Sequence, residues 1–266
     1  MGAVYEATDS ALERCVAVKV IREDLAGTPE AAERFRREAR AAASFTHPNV
    51  VTVYDFGIEG GTRAFLVMEL LQGTTLREEI KREKQLDASR VVEILRGVCA
   101  AVDAAHRRQL IHRDLKPENI FLTRGEAAEI PKVLDFGIAK FVPAATQATA
   151  GVTQPIADTA AGLLLGTMNY MSPEQLRGEC VGEVWDLWAL AVIAYEMLLG
   201  AAPFAGSTPG EWHGRVLAGR FTPLAEHLPD VPPRWEEFFT RTFSLDRSER
   251  PNSARAFFTE LERALS

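Results

Sequence analysis

The chain has 266 residues, of which 47% are hydrophobic and 25% charged, as is usual for a folded protein with one large domain or two lobes. Its 30 basic and 37 acidic residues give a net charge of −7, which argues against a nucleic-acid or anionic-membrane binder. The sequence contains neither a signal-peptide layout nor an apolar run near the roughly 20 residues of a bilayer span. The three cysteines are isolated, so we expect a cytoplasmic protein with reduced thiols.

The chain begins with two predicted strands, at residues 3–8 and 15–21. The second strand is almost wholly apolar except for Lys19. A lysine in such a run either points to water at a sheet edge or is buried with a partner. The strand alone does not decide between these two environments.

A helix is predicted from Pro29, because proline suits the first helical position and Thr28 can cap the helix. Glu38 lies one helical turn from Arg34. A surface ion pair between these two side chains is the simplest interpretation of the helix alone.

Two further strands are predicted around the turn at residues 60–61, and a short break follows at residues 69–73. The chain beyond this break has mainly helical patterns. We interpret the break as a hinge between a β-rich lobe, residues 1–70, and an α-rich lobe, residues 71–266.

Three motifs then follow in a fixed order. Residues 112–119, H-R-D-L-K-P-E-N, form a stiff loop between regular elements, since Pro117 cannot sit inside a helix. A short predicted strand at 130–134 ends in D-F-G at 135–137, and G-T-M-N-Y-M-S-P-E spans 166–174. Together these motifs resemble those of serine/threonine protein kinases, in the form found in bacteria.

The resemblance covers residues 2–264 and implies a single protein kinase catalytic domain over residues 1–266. It implies an α+β, bilobal fold with a small antiparallel β lobe that carries one helix and a larger, mostly helical lobe. The implied activity is transfer of the γ-phosphate of ATP to serine and threonine hydroxyls of proteins. Self-association for trans-autophosphorylation is also implied, and nucleic acid is not an expected partner.

The family motifs also assign catalytic roles. Asp114 would accept the proton of the substrate hydroxyl, and Lys116 would offset charge on the moving phosphate. Lys19 would grip the α- and β-phosphates, and Glu38 would hold Lys19 in place. By the same resemblance, this pair and the surface pair of Glu38 with Arg34 can hold in different states, since such enzymes switch by moving this helix. Thr167 would contact Asp114 and Lys116 and favour aliphatic hydroxyls over phenols.

The implied cofactors are ATP and Mg²⁺. Asn119 and Asp135 would be the metal ligands, because magnesium prefers hard oxygen atoms. Other residues would lie above, below and behind the adenine, would hydrogen-bond its edge through the hinge backbone, or would cover the phosphates. These residues are Gly2, Val4, Ala17, Met68, Glu69, Leu71 and Phe121.

Further positions are given structural roles by the same resemblance. His112 would pack near Phe136 rather than act as a base. Asp186 would anchor the catalytic loop, and Arg250 would pair with Glu174.

A long segment at residues 141–165 is rich in alanine, threonine, glycine, glutamine and proline, which is typical of a functional or disordered loop. Arg113 and Lys140 would bind a phosphothreonine of this segment. The sequence does not choose among the candidates, which are Thr146, Thr149, Thr153 and Thr159.

The start of the chain departs from the family pattern. Residues 1–4, Met-Gly-Ala-Val, match only the last glycine and the valine of the glycine-rich loop that covers the phosphates. We expect the first strand and two glycines to be encoded upstream of an active enzyme, which could be the cytoplasmic part of a longer membrane-anchored protein. Two alternatives stay open: a pseudokinase-like binding module with weak or no turnover, and a small-molecule phosphotransferase with a related core.

Overall fold

The computed structural model describes residues 3–21, 29–60, 63–125, 128–136 and 168–266. Several positions discussed above lie outside these ranges, and their predicted roles stay predictions. These positions are Gly2, Thr28, Gly61, Gly137, Lys140, Thr146, Thr149, Thr153, Thr159 and Thr167.

The first part of the chain folds into a four-stranded antiparallel sheet with the order β1-β2-β4-β3. Its strands are β1 (Ala3–Asp9), β2 (Arg14–Val20), β3 (Val53–Glu59) and β4 (Arg63–Glu69). Every second residue of β4 is buried, as expected for a strand with one face against a core. Lys19 of β2 lies on the face that carries these buried residues, because it is paired in register with one of them.

One helix covers that face of the sheet. Helix α1 (Pro29–Ala43) packs Phe35 and Ala39 against Leu66 of β4. Phe35 also meets Phe56 of β3 edge to face, with ring centroids 6.1 Å apart. The helix is therefore held by a small apolar core, while its charged residues face outward or toward the catalytic loop.

A second, three-stranded antiparallel sheet begins within the predicted hinge segment, with strands β5 (Gly73–Thr75), β6 (Ile120–Arg124) and β7 (Glu129–Val133). Gly73 is required where β5 meets β6, since a Cβ there would lie 1.9 Å from the Leu122 carbonyl oxygen. This close approach fixes the point at which the chain leaves the hinge.

Helices make up most of the rest of the described chain. Helix α5 (Glu183–Leu199) is the centre of this region, since every residue from Trp185 to Leu199 is buried. A helix that is buried on all sides needs apolar residues all round, as this sequence predicts. The helices are α2 (Leu76–Glu83), α3 (Ala88–His106), α4 (Pro173–Leu176), α5 (Glu183–Leu199), α6 (Pro209–Leu217), α7 (Pro233–Thr242) and α8 (Ala254–Leu265).

This arrangement confirms the predicted α+β fold, with an antiparallel sheet and one helix preceding a mostly helical region. Within the part of the chain that the structure describes, no helix combines the length and the apolar character needed to cross a bilayer.

Candidate active site

The loop that carries Asp114 is held by a buried carboxylate at the start of α5. Asp186 accepts hydrogen bonds from the backbone N–H groups of His112, at 2.8 Å, and Arg113, at 2.9 Å. It also contacts Nε2 of His106 at 2.7 Å. Arg113 has a φ of +66°, which is rare for a side chain with a Cβ, so these bonds hold the loop in a strained shape. The anchoring contact predicted for Asp186 is present.

His112 uses both ring nitrogens in structural hydrogen bonds. Its Nε2 lies 2.7 Å from the Leu134 carbonyl oxygen, and its Nδ1 accepts the Asp114 backbone N–H at 3.3 Å. A carbonyl oxygen only accepts, so Nε2 carries the proton. The ring also meets Phe136 edge to face at 4.9 Å. His112 is thus a packing residue, in agreement with the prediction.

Asp114, Lys116 and Asn119 form one cluster at the end of the loop. The Lys116 ammonium lies 2.9 Å from Asp114 Oδ2, and only 4% and 9% of the two side chains are exposed. The amide nitrogen of Asn119 donates to the Asp114 carbonyl oxygen at 2.8 Å. This bond leaves the amide oxygen of Asn119 as the group available to a cation.

Lys19 and Asp135 join this cluster from the other side. Lys19 Nζ lies 2.5 Å from Asp135 Oδ2, although one residue comes from β2 and the other follows β7. The residue before Asp135, Leu134, donates its backbone N–H to the Asn119 carbonyl oxygen at 2.8 Å. Five of the predicted site residues are therefore linked in one network, in which Lys19 contacts Asp135, the Leu134 backbone connects Asp135 to Asn119, and Asn119 and Lys116 contact Asp114.

Glu38 departs from the predicted arrangement. Both Glu38 and Lys19 lie in described parts of the chain, and the structure forms no ion pair between them. Glu38 Oε1 instead lies 3.9 Å from Nη1 of Arg113, and its Oε2 is buried without a hydrogen-bond partner in the described structure. Burial raises the pKa of the Glu38 carboxyl, and the nearby guanidinium of Arg113 offsets this only in part. The physical reason is that Asp135 already neutralises Lys19, while α1 directs Glu38 toward the catalytic loop.

The residues predicted to surround the adenine lie around the hinge. Ala17 and Met68 are buried in one small cluster, and Leu71 packs against it. Val4 lies on the neighbouring strand β1 and is 58% exposed. Phe121, in β6, is partly buried. Their roles toward a nucleotide stay predictions.

Sequence reasoning missed a partly buried polar network beside the catalytic loop. Arg77 of α2 donates to Glu196 at 2.6 Å and to Glu118 of the loop at 2.7 Å. It also contacts the hydroxyl of Tyr170, which in turn contacts Glu196. Burial and the neighbouring carboxylate raise the pKa of the Tyr170 phenol, so it stays neutral. These partners are far apart in sequence, and no local spacing points to them.

The predicted pair of Glu174 and Arg250 is present, with Nη1 of Arg250 3.0 Å from Oε1 of Glu174. A second guanidinium was not anticipated: Arg247 Nε lies 3.1 Å from the same oxygen. Burial alone would raise the pKa of Glu174, but Arg250 and several hydrogen bonds hold that pKa below its ordinary value of 4.5.

Replacing Glu174 with glutamine is expected to lower the free energy of unfolding by about 1.5–3 kcal/mol at pH 7. A carboxyl with a lowered pKa contributes stability that is present above the ordinary pKa of 4.5 and is lost as the pH falls below it. The difference between the two proteins should therefore shrink as the pH falls below 4.5. Urea denaturation of both proteins at pH 7 and at a pH below 4.5 measures this difference in the free energy of unfolding.

The control for this experiment is Glu179→Gln, because Glu179 contacts Arg247 and is much more exposed than Glu174. Its effect should be smaller at pH 7. An effect of Glu174→Gln that stays constant as the pH falls would contradict the assigned role.

Comparisons with known proteins agree with this geometry. The family model described as protein kinase domain matches residues 1–260. The chain is 38% identical to serine/threonine-protein kinase pkn3 of Myxococcus xanthus, over 98% of this chain and 47% of that protein. It is 36% identical to serine/threonine-protein kinase PknB of Mycolicibacterium smegmatis, over 99% of this chain and 41% of that protein. It thus spans less than half the length of these two relatives.

Solved structures show the same fold. Two crystal structures of mutant forms of the PknI kinase domain of Mycobacterium tuberculosis superpose with a TM-score of 0.75, at 25% and 26% identity. The matches cover 100% of this chain and 91% of those chains. Fold and site together are consistent with the bilobal kinase fold. The chain belongs to the protein kinase domain family.

Proposed function

We propose that the chain transfers the γ-phosphate of ATP to serine and threonine hydroxyls of proteins. The observation that carries this proposal is the continuous network from Lys19 through Asp135 and Asn119 to Asp114 and Lys116. Phosphoryl transfer requires positioning and charge neutralisation, with little covalent chemistry from the protein. The network gathers the charges and oxygen donors that this reaction requires.

The donor set fits ATP with Mg²⁺. Magnesium is usually bound by one or two protein oxygens, with phosphates and water completing its shell. Asp135 and the amide oxygen of Asn119 match this demand. Within the described ranges, no group of three histidine, cysteine, aspartate or glutamate side chains could hold a metal alone, in keeping with an ion bound together with a nucleotide. When bound, the ion would neutralise charge on the phosphate oxygens.

The residues of the chain divide the remaining tasks. Asp114 would orient the incoming hydroxyl and accept its proton. Lys116, whose ammonium is held against Asp114, would offset negative charge next to the reacting phosphate. Lys19 contacts Asp135, which is a candidate metal ligand. From this position Lys19 would bind the α- and β-phosphates.

The expected partners are proteins with accessible serine or threonine residues, and a second copy of this chain is one of them. Arg113 would bind a phosphothreonine of segment 141–165, and Glu38 is the anion that it contacts here. Phosphorylation of that segment would therefore have to displace Glu38.

We place the activity in the cytoplasm, where ATP and Mg²⁺ are available.

The test is transfer of label from γ-labelled ATP to the protein itself and to a generic basic protein, followed by analysis of the phosphoamino acids. We expect phosphoserine or phosphothreonine in both proteins. Label found only in small molecules would favour a small-molecule phosphotransferase. Binding of nucleotide without transfer would favour a pseudokinase-like module.

A further inference from the structure

The side chain of Glu69 connects three separate segments behind the hinge. Its Oε1 accepts the backbone N–H of Thr52 at 2.7 Å and the ammonium of Lys132 at 2.6 Å. The Glu69 backbone N–H also donates to the Thr52 carbonyl oxygen at 3.0 Å. Thr52 precedes β3, Glu69 ends β4, and Lys132 lies in β7. One carboxylate thus links both sheets.

The segment before Thr52 is itself fixed to β7. The side-chain amide of Asn49 donates to the Pro131 carbonyl oxygen at 2.9 Å. The backbone carbonyl oxygen of Asn49 accepts the Val133 backbone N–H at 2.8 Å. Val51 donates its backbone N–H to the Val133 carbonyl oxygen at 3.0 Å. Thr52 is therefore a rigid point for the Glu69 side chain, since the preceding residues are bonded to a regular strand.

The position of this pair relates it to nucleotide binding. The backbone of Glu69 belongs to the hinge that is expected to bind the adenine edge. Lys132 lies three residues before Asp135, the candidate metal ligand, in the strand that leads to it. The ion pair therefore joins the hinge, which is expected to bind the adenine, to strand β7, which leads to the candidate metal ligand at the phosphates.

We infer that Glu69 and Lys132 are positioning residues that fix the hinge relative to the strand of Asp135 and thereby set the affinity for the nucleotide. This inference rests on the proposed function. It concerns side chains that contact each other and the Thr52 backbone, and it assigns them an effect on ATP binding rather than on phosphate transfer itself.

The environment of the pair makes this effect larger than that of a surface ion pair. The side chains of Lys132 and Glu69 are only 15% and 21% exposed, and the carboxylate oxygen accepts two hydrogen bonds. Charge-assisted hydrogen bonds are shorter and stronger than neutral ones, whereas exposed pairs contribute little. Removing the carboxylate leaves a partly buried N–H and an ammonium without their acceptor, and we expect the hinge backbone to shift in response.

The variants Glu69→Gln, Glu69→Ala and Lys132→Met test the inference, together with a double variant of Glu69→Ala and Lys132→Met. We expect Glu69→Ala to raise the KM for ATP about 5- to 20-fold, in the lower range of usual coupling effects. The kcat should change less than about 2-fold, because Asp114 and Lys116 are untouched. Glu69→Gln keeps an acceptor oxygen and should recover part of the affinity.

The double variant should be no worse than Glu69→Ala, because the two residues act through one contact. The matched control is Glu129→Gln, which breaks the pair of Glu129 with Arg90 on the same strand β7, a pair that involves neither Glu69 nor Lys132. Its KM for ATP should equal that of the unmodified protein. Thermal unfolding of every variant shows how much of an effect comes from stability.

Direct titration with Mg·ADP separates this inference from the proposed function. If the unmodified protein transfers no phosphate, the proposed function fails, while weaker Mg·ADP binding by Glu69→Ala still supports the pair. Equal nucleotide affinity in Glu69→Ala and the unmodified protein overturns the inference. An equal loss of nucleotide affinity in Glu129→Gln also overturns it. So does a double variant whose loss of affinity equals the sum of the two single losses in free energy, or a change in kcat without a change in KM.

Discussion

Replacing Asp114 with asparagine is expected to lower phosphate transfer by about 10²- to 10⁴-fold, the usual contribution of a positioned general base. Asparagine keeps the size of the side chain but cannot accept the proton of the hydroxyl. It also removes the negative charge that lies 2.9 Å from Lys116 Nζ. Initial rates with labelled ATP and a protein substrate measure the loss.

The control must separate lost chemistry from a damaged fold, because Asp114→Asn leaves the buried ammonium of Lys116 without its carboxylate. A double variant of Asp114→Asn and Lys116→Met removes both charges and should remain as inactive. Mg·ADP should still bind within a few-fold of normal, since Asp135 and Asn119 are unchanged. Near-normal transfer by Asp114→Asn would reject the catalytic assignment.

Replacing Asp186 with alanine is expected to reduce the free energy of unfolding by about 3–5 kcal/mol, as for loss of one partner of a buried charged contact. The change leaves the backbone N–H groups of His112 and Arg113 buried without an acceptor. The strained backbone of Arg113 would then relax, and the loop would lose its shape. Urea denaturation at pH 7 gives the loss of stability.

An exposed aspartate supplies the comparison for this variant. Asp230→Ala should leave both stability and activity nearly unchanged, because the Asp230 side chain is on the surface. If Asp186→Ala unfolded at the same urea concentration as Asp230→Ala, the anchoring role of Asp186 would be excluded.

The main parts of the fold and site could be predicted because their signals are local. Residues 112–119 and 135–137 carry their chemistry at fixed spacings, and α5 has apolar residues on every side. The structure brings Lys19, Asp114, Lys116 and Asp135 into one network, although they come from three separate segments. The family resemblance predicted which of these distant residues come together. The periodic pattern of hydrophobic residues alone does not contain that information.

Other contacts could not be predicted, because they depend on how elements are oriented. The turn of α1 about its axis decides whether Glu38 faces Lys19 or Arg113, and both outcomes fit the same sequence. The partners of Arg77 and the link from Glu69 to Lys132 join residues distant in the chain. Such pairs leave no periodic signal, because each needs only one compatible side chain at each end.

The enclosure of α5 has a consequence for how this protein loses activity. Asp186, near the start of that helix, fixes the catalytic loop, and the helix is buried from Trp185 to Leu199. Fraying of the peripheral helices does not reach this point, since local opening is confined to weakly packed regions. We therefore expect the geometry around Asp114 to persist during local opening of the peripheral helices and to be lost when the core around residues 185–199 unfolds.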